Sequence, residues 1–313
     1  MNNIAILIPC LNEETTIYKV VKDFKQVLPE ALIYVGDNNS TDNTSEEASK
    51  AGAIIINEYR RGKGHVVKAM FERVNADIYI MVDGDDTYPA NRVLDLIKPI
   101  IDNEADMVIG SRLCYGNKGL IVKGFKPMNL FGNLIYRKMV NWIFKSDLTD
   151  ILSGYRVFNN KVIKTIPLFL KGFEVETELT IKAIERGFRI KEIPVDLSER
   201  QEGSKSKIKI LKDGVRILRT IVSLFRDYKP LTFFGASGLV FLTVGLFFGF
   251  IVIAEYFSTG LVLRFPLAIL SVGIVLSSIV WIIAGIILHT IDRRVQELES
   301  TMLSIWKEIN QRN

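Results

Sequence analysis

The chain of 313 residues carries a formal net charge of +5, and its amino acids are 48% hydrophobic and 24% charged. That length accommodates one full α/β domain plus an accessory region, and two cysteines are too few for a disulfide framework or a zinc site. The low cysteine count fits a reduced cytosolic domain. The basic surplus has no interleaved array of aromatic residues, which argues against a nucleic-acid partner.

Strands and helices are predicted to alternate through the first two thirds of the chain. The predicted strands are 3–9, 32–36, 53–56, 78–82, 107–109, 154–158 and 189–195. The predicted helices are 13–28, 43–51, 64–74, 93–103, 129–144 and 174–186. This rhythm predicts an α/β domain with a doubly wound, mostly parallel sheet. The sequence contains no Gly-x-Gly-x-x-Gly or Walker-type loop, which argues against an ordinary dinucleotide or P-loop site.

The strand predicted over 78–82 runs directly into three carboxylates, Asp83, Asp85 and Asp86. Ligands of open α/β sheets bind at the carboxyl ends of the strands. Carboxylates one residue apart at that edge can hold a hard divalent cation against a diphosphate. An acidic turn helped by Gly84 and Pro89 explains the same residues, so this segment leaves both interpretations open.

Two long apolar runs lie near the C-terminus, at 231–257 and 265–291. Each exceeds the roughly 20 residues that span a bilayer core, so both are predicted to be transmembrane helices. A pair of buried core helices is the alternative. Basic residues cluster before the first run and after the second, whereas the connector 258–264 contains a single basic residue. By the positive-inside rule, the chain is therefore predicted to be a multi-pass protein with both termini in the cytosol.

Residues 208–229 form a predicted amphipathic helix with basic residues on its polar side. Its apolar face comprises Ile208, Leu211, Val215, Leu218, Val222 and Phe225. This pattern predicts a helix in the membrane interface that contacts anionic lipids, with a soluble helix packed on the core as the alternative. A short heptad seam over 292–313 favours either homo-oligomerisation or packing on the cytosolic domain. The predicted division is therefore 1–207, 208–229, 230–291 and 292–313.

Four segments fall at predicted strand ends or in the loops that follow them. They read I-P-C-L-N-E-E at 8–14, G-D-N-N-S-T-D at 36–42, R-G-K-G at 61–64 and D-G-D at 83–85. In this order they resemble the family 2 glycosyltransferases with a GT-A fold. Within that family the chain is similar to the polyprenyl-phosphate sugar synthases, such as dolichyl-phosphate mannose synthase and the bacterial prenyl-phosphate glucosyltransferases. The resemblance covers residues 3 to about 210, and the two predicted spans match the bacterial layout.

The resemblance implies roles for the residues on the donor side. Pro9 and Glu13 would line the nucleoside pocket, although Glu13 also suits a helix N-terminus. Asp37 would hydrogen-bond the base, but many relatives carry a second acid after it where this chain has Asn38. Lys63 would reach the donor's diphosphate, with a solvated loop lysine as the alternative.

The family pattern also implies a metal-dependent reaction centre. Asp85 would bind Mg²⁺ or Mn²⁺, and Asp83 would assist it or contact the ribose or the sugar. Oxygen ligands and a diphosphate suit both ions, which would stabilise the charge developing on the leaving group. Asp86 would be a neighbour that caps the following turn.

On the acceptor side, the family's arginine after the next strand corresponds to Arg112, whose guanidinium can bind a phosphate bidentately. Lys126 is a second cation there. Arg200 and Lys205 lie in a segment that approximates the family's Arg-x-x-Gly-x-Ser-Lys-type loop. They would contact the donor diphosphate or the lipid phosphate, with binding of lipid headgroups as the alternative.

The segment D-I-L-S-G-Y-R at 150–156 resembles the family's Asp-x-x-Ser-Gly segment near the reacting centre. Asp150 would act as a base or orient the sugar, and a turn or cap residue is the alternative. One of Glu174, Glu176 and Glu178 would face the sugar, unless all three simply favour the start of a helix.

The resemblance thus implies an inverting transfer of a hexose or N-acetylhexosamine, from a UDP-sugar by analogy, to undecaprenyl or dolichyl phosphate at the cytoplasmic membrane face. A flippase and a second glycosyltransferase would act downstream. A processive polysaccharide synthase, or a transferase to another lipid, is one alternative. A non-catalytic scaffold that binds nucleotide sugar is another, although intact Asp83 and Asp85 argue against it.

Overall fold

A computed structural model describes residues 3–116, 119–122, 127–198 and 210–312. The chain divides into two compact units, residues 1–221 and 222–313. The strands are β1 Ile4–Cys10, β2 Leu32–Asp37, β3 Ile54–Asn57, β4 Ile78–Met81, β5 Met107–Ser111, β6 Leu113–Gly116, β7 Gly119–Val122, β8 Arg156–Asn159 and β9 Ile190–Pro194. The helices are α1 Ile17–Val27, α2 Thr44–Lys50, α3 Lys63–Arg73, α4 Val93–Ile101, α5 Pro127–Phe144, α6 Asn160–Thr165, α7 Val175–Glu185, α8 Ile210–Tyr228, α9 Pro230–Thr259 and α10 Phe265–Arg312.

A seven-stranded sheet in the order β3-β2-β1-β4-β8-β5-β9 forms the centre of the first unit. Every pairing is parallel except those of β8, which runs antiparallel to both β4 and β5. The predicted mostly parallel α/β fold is therefore confirmed. Because β8 is reversed, its start lies at the edge where β4 ends, with Met81 opposite Arg156. The segment before β8 consequently faces the acidic loop after β4.

The core of this unit follows from apolar strands buried on both faces. All of β4 is buried, and so is β1 from Ala5 onward. Helices α1 and α4 bury Val21, Phe24 and Leu96 in the same cluster as alternate residues of these strands. Burial on two faces is typical of parallel sheets covered by crossover helices. The rigid centre thus fixes where the strands end, which is where the polar loops emerge.

Three local features differ from the predicted elements. Helix α1 begins at Ile17 rather than at residue 13, because the carbonyl oxygen of Glu13 accepts from the N–H groups of Thr16 and Ile17 in a preceding turn. The antiparallel hairpin of β6 and β7 and the short helix α6 were not predicted. Glu13 therefore lies in the loop after β1, not within the helix.

In the second unit, α9 and α10 are each long and apolar enough to span a membrane. Only 17% and 11% of their most apolar windows are buried, which argues against a pair of buried core helices. Gly260 ends α9 in the left-handed conformation with φ of 71°. Close packing at Gly238 and Gly245, and a 2.6 Å hydrogen bond from Trp281 Nε1 to Ser237 Oγ, join the two helices.

The predicted segment 292–313 is helical up to Arg312 and continues the second apolar helix without a break as part of α10. Apolar periodicity ends at the charged residues Asp292, Arg293 and Arg294, but charged residues are good or tolerated helix formers and do not interrupt the backbone. Side chains of the predicted heptad seam beyond Leu298 lie outside the described residues.

Candidate active site

The loops after β1 and β2 are joined by reciprocal hydrogen bonds. Asn12 N–H donates to Ser40 Oγ at 3.0 Å, and Thr41 N–H donates back to Asn12 Oδ1 at 2.8 Å. Glu13 N–H donates to Thr44 Oγ1 at 2.8 Å. Asn12 adopts positive φ, which asparagine tolerates better than most residues. The two loops therefore form one preorganised surface.

This surface brings together the residues assigned to the nucleoside pocket. Buried Pro9 and half-buried Glu13 flank the end of β1, and Asp37 pairs in register with Cys10 beside them. Asp37 Oδ1 accepts from the N–H and the hydroxyl of Ser40, which fixes its carboxylate at the start of the turn. The arrangement is compatible with binding a nucleoside, and the individual roles stay predictions.

Asn38 organises the loop that leads to Lys63. Its Nδ2 donates to the carbonyl oxygens of Glu58 and Arg60 at 3.1 and 2.8 Å, and its Oδ1 accepts from Gly62 N–H at 2.6 Å. The side chain is almost completely buried. A carboxylate cannot donate to two carbonyl groups, so an acid at position 38 could not make the same contacts. The sequence alone did not show this contribution.

Lys63 lies between two carboxylates at the edge of the sheet. Its Nζ is 2.5 Å from Asp83 Oδ1 and 2.5 Å from Glu176 Oε1. Burial alone would lower the pKa of Lys63, but the two negative charges outweigh burial and raise it above its ordinary value. Its side chain is only 10% exposed, so it is not a solvated loop lysine.

The glycines on either side of Lys63 let another loop approach its backbone. A Cβ at Gly62 would collide with the carbonyl oxygen of Lys171, and one at Gly64 with that of Leu170. Gly64 N–H donates to Lys171 O at 3.1 Å. Gly62 also has φ of 132°, where side chains are strained. The R-G-K-G spacing thus fixes the base of Lys63.

The three glutamates near the start of α7 have different partners. Glu176 contacts Lys63, as described above. Glu178 is buried, pairs with Lys182 at 2.6 Å and accepts from the N–H groups of Phe169 and Leu170. Glu174 accepts from Gly172 N–H at 3.2 Å. Of the three, Glu176 is therefore the one whose carboxylate meets the predicted site, whereas Glu178 holds the 169–171 loop in place.

The acids after β4 have distinct environments. Asp83 carries a side chain that is 30% exposed, whereas Asp85 is buried and its Oδ1 accepts from Thr87 Oγ1 at 2.6 Å. Asp86 forms an ion pair with Lys19 at 2.8 Å, consistent with a neighbour that has no role at the metal. Thr16 Oγ1 donates to the carbonyl oxygen of Gly84 at 2.7 Å, which anchors the loop to α1.

Asp83 and Asp85 suit a hard divalent cation. Both offer carboxylate oxygens, and the described residues contain no group of three or more His, Cys, Asp or Glu side chains that could hold a metal by themselves. Mg²⁺ and Mn²⁺ are commonly held by one or two carboxylates together with substrate phosphates and water. The donor set therefore fits an ion that binds together with a diphosphate.

Gly154 permits a close approach between the acidic loop and the segment before β8. A Cβ at this position would lie 2.5 Å from Asp83 Oδ2. The backbone at Gly154 therefore packs directly on the carboxylate of a predicted metal ligand. This contact explains the glycine of the Asp-x-x-Ser-Gly segment.

Replacing Gly154 by alanine should lower activity at least tenfold while the fold survives. The clashing atoms belong to the end of the Asp83 side chain, so the carboxylate can rotate away, and a displacement of about 1 Å at a reacting centre can reduce the rate about 100-fold. Turnover and the thermal midpoint should be measured together. Gly187→Ala is a stability control, because Gly187 has open space around it but positive φ. Full activity of Gly154→Ala would contradict the predicted role of Asp83.

Partly exposed Arg112 and fully buried Asp150 form a bidentate ion pair. Arg112 Nε and Nη2 donate to the two carboxylate oxygens at 2.7 and 2.9 Å. Asp150 also accepts from Asn133 Nδ2 and Leu152 N–H. Burial alone would raise the pKa of Asp150, but the Arg112 charge and hydrogen bonds hold it below the ordinary value. A carboxylate so stabilised is a weak base, which favours an orienting role for Asp150.

Buried Arg156 and half-buried Glu192 also support this segment and were not assigned from the sequence. Arg156 is fully buried and donates to the carbonyl oxygens of Ser153 and Ile151, each at 2.8 Å. Burial lowers its pKa to about 10. Glu192 accepts from Thr149 and Asp150 N–H groups at 2.7 and 2.8 Å, and burial raises its pKa. Both groups fix the backbone around Asp150.

The remaining predicted acceptor residues, Lys126, Arg200 and Lys205, lie outside the described residues. Of the basic residues predicted to bind the acceptor phosphate, only Arg112 lies in the part of the chain that the structure describes.

Comparison with known proteins adds a family and several relatives. The profile of "Glycosyl transferase family 2" matches residues 5–166. Glycosyltransferase AglJ of Haloferax volcanii is 32% identical over 244 residues, covering 78% of each chain. The dolichyl-phosphate hexose transferase of the same organism is 25% identical over 71% of this chain and 94% of its own. The undecaprenyl-phosphate mannosyltransferase of Micrococcus luteus is 25% identical over 64% of this chain and 85% of its own.

A solved structure with the same fold is glucosyl-3-phosphoglycerate synthase from Mycobacterium tuberculosis in complex with Mn²⁺, UDP and glucosyl-3-phosphoglycerate. The TM-score is 0.59, with 20% sequence identity over 71% of this chain and 80% of that one. At this identity the likeness concerns the fold.

Proposed function

The chain belongs to glycosyl transferase family 2, and we propose that it transfers a sugar with inversion from a nucleoside-diphosphate sugar to polyprenyl phosphate. One observation carries the proposal. The segment 150–154 packs on Asp83 through Gly154 and holds Arg112 through Asp150. A carboxylate suited to a metal–diphosphate and a guanidinium suited to a second phosphate therefore share one edge of the sheet.

The chemistry of the acceptor fits this arrangement. A phosphate monoester has a second pKa near 6 and is largely dianionic at pH 7, so it is already a competent nucleophile. The protein's main tasks are then to align the two phosphates and to stabilise the leaving group. A bound Mg²⁺ or Mn²⁺ at Asp83 and Asp85 would supply charge stabilisation to the leaving diphosphate. Asp150 would orient Arg112 toward the acceptor.

Three observations support a lipid acceptor at the membrane. Two relatives are named for transfer to dolichyl or undecaprenyl phosphate. Helices α9 and α10 are long enough to span a bilayer. On α8 the predicted apolar face is exposed at Val215, Leu218 and Val222, whereas Ile217, Ile221 and Leu224 are buried. An exposed apolar stripe beside Arg216 and Arg219 is typical of a helix that lies in the membrane interface.

In this proposal residues 1–207 form the cytosolic transferase, 208–229 contact anionic lipid, and 230–291 anchor the chain in the cytoplasmic membrane. UDP is the proposed nucleotide, by analogy with the bacterial subgroup and supported by the UDP complex of the structural neighbour.

The test is transfer of radiolabel from a panel of UDP- and GDP-sugars to undecaprenyl or dolichyl phosphate by the full chain in detergent. We expect a mild-acid-labile lipid-linked monosaccharide that requires Mg²⁺ or Mn²⁺ and disappears with EDTA, since the metal would neutralise the leaving diphosphate. Polymer or free sugar from every donor, with no lipid product, would refute the proposed acceptor.

A further inference from the structure

The position of Lys63 has a consequence for how a divalent ion reaches Asp83. Of the two Asp83 oxygens, Oδ1 is 2.5 Å from Lys63 Nζ, and Oδ2 faces the backbone at Gly154. One of the two Asp83 oxygens is thus already paired with a cation that belongs to the protein. An ion that binds Asp83 through Oδ1 competes with the ammonium group for the same carboxylate charge.

The two carboxylates that hold Lys63 differ in their access to solvent. The Asp83 side chain is 30% exposed, whereas that of Glu176 is 5% exposed. Glu176 is further fixed by its position on α7, and the base of Lys63 is fixed by the glycines at 62 and 64. Lys63 can therefore leave Asp83 by a change of side-chain rotamer while its contact with buried Glu176 is kept.

We infer that Lys63 is an exchangeable counter-ion, which neutralises Asp83 in the donor-free enzyme and moves to the donor's diphosphate when a divalent ion takes its place. This inference rests on the proposed function. The reason is electrostatic. A divalent ion that binds Asp83 alone deprives Lys63 of one of its two negatively charged partners, whereas a metal–diphosphate complex brings a new negative charge for Lys63 to contact. Metal and nucleoside diphosphate should therefore bind with positive coupling, and Lys63 should be one source of that coupling.

The experiment measures Mn²⁺ affinity of the full chain in detergent by electron paramagnetic resonance of the free ion, with and without UDP or GDP. For the wild type we expect about tenfold tighter Mn²⁺ binding with the nucleotide, within the usual range of coupling between two sites. Lys63→Met and Lys63→Gln should each bind Mn²⁺ several-fold more tightly than the wild type without nucleotide and show weaker coupling. The control is Lys68→Met, because Lys68 is exposed on the same helix and pairs only loosely with Glu72 at 3.8 Å.

The possible results separate the inference from the proposed function. If both Lys63 variants bind Mn²⁺ no more tightly than the wild type, or if nucleotide leaves wild-type Mn²⁺ affinity unchanged in a preparation that turns over, the exchange is refuted and the proposed transfer stands. If no donor yields a lipid product, polyprenyl phosphate is refuted as the acceptor. The Mn²⁺ affinities then still show whether Lys63 exchanges with the divalent ion. Tighter binding in Lys63→Met and Lys63→Gln but not in Lys68→Met supports it.

Discussion

Asp85→Asn should reduce kcat/KM about 1,000-fold while leaving the protein folded. Asparagine keeps an oxygen that can accept from Thr87, so the loop retains its 2.6 Å hydrogen bond, but the negative charge expected to bind the metal is lost. A metal ion stabilises the charge of a leaving group by several kcal/mol, and about 4 kcal/mol corresponds to three orders of magnitude in rate. Radiolabel transfer to polyprenyl phosphate at saturating Mg²⁺ or Mn²⁺ measures the loss.

The matched control is Asp86→Asn in the same loop. Asp86 is paired with Lys19 at 2.8 Å and has positive φ, a conformation that asparagine also accepts. We expect its activity to remain within a few-fold of the wild type, because a partly exposed ion pair contributes at most about 1 kcal/mol. Equal losses in the two variants would show that the loop's overall charge, rather than the Asp85 carboxylate, supports catalysis. A nearly active Asp85→Asn would remove Asp85 from the metal site.

The sheet edge was predictable because strand ends are encoded locally. Apolar runs followed by polar loops at Asp37 and Asp83 indicate where buried strands stop. The direction of β8 was not encoded in the same way. A strand of four residues has the same periodicity in either direction, and its antiparallel pairing depends on the long excursion through α5 that precedes it. The contact of Gly154 with Asp83 could therefore not be predicted.

The partners of the site residues were harder to predict than the residues themselves. Lys63 lies between two glycines, which marks its loop, but its second carboxylate belongs to α7, far along the chain. The glutamates at 174, 176 and 178 look alike in the sequence, because all three are acidic residues near the start of one helix. Their positions on that helix do not show that Glu176 pairs with Lys63 and Glu178 with Lys182. Long-range charge pairing is a property of the tertiary fold.

Asn38 departs from the family pattern, and the structure shows what its side chain contacts. In the sequence, Asn38 occupies the position after Asp37 at which the resemblance leads us to expect a second acid. In the structure its amide donates to two carbonyl groups and accepts from Gly62, a combination that only an amide side chain of this length provides here. The contacts of Asn38 thus support the geometry of the Lys63 loop.

Asp150→Asn should destabilise the protein by about 3 kcal/mol, because it leaves Arg112, whose side chain is only 16% exposed, without its charged partner. The control is Asp95→Ala, which breaks an exposed pair with Arg92 and should change the free energy of unfolding by less than about 1 kcal/mol. Both changes in the free energy of unfolding can be measured by urea unfolding of the full chain in detergent, with a signal that reports on residues 1–221. A loss below about 1 kcal/mol in Asp150→Asn would mean that Arg112 finds another partner.

The same pair makes a prediction for pH. The pKa of Asp150 is lower in the folded protein than its ordinary value near 4, so the ion pair stabilises the folded state fully above that ordinary pKa. This stabilisation is lost as the pH falls from the ordinary pKa through the lower folded-state pKa, because in that range the unfolded chain binds the proton and the folded protein does not. The stability difference between the wild type and Asp150→Asn should therefore be constant near neutral pH and shrink below about pH 4. If the stability difference between the wild type and Asp150→Asn grew on acidification, Asp150 would not be the ionised partner of Arg112. The proposal that its carboxylate orients the guanidinium, rather than removing a proton, would then fail as well.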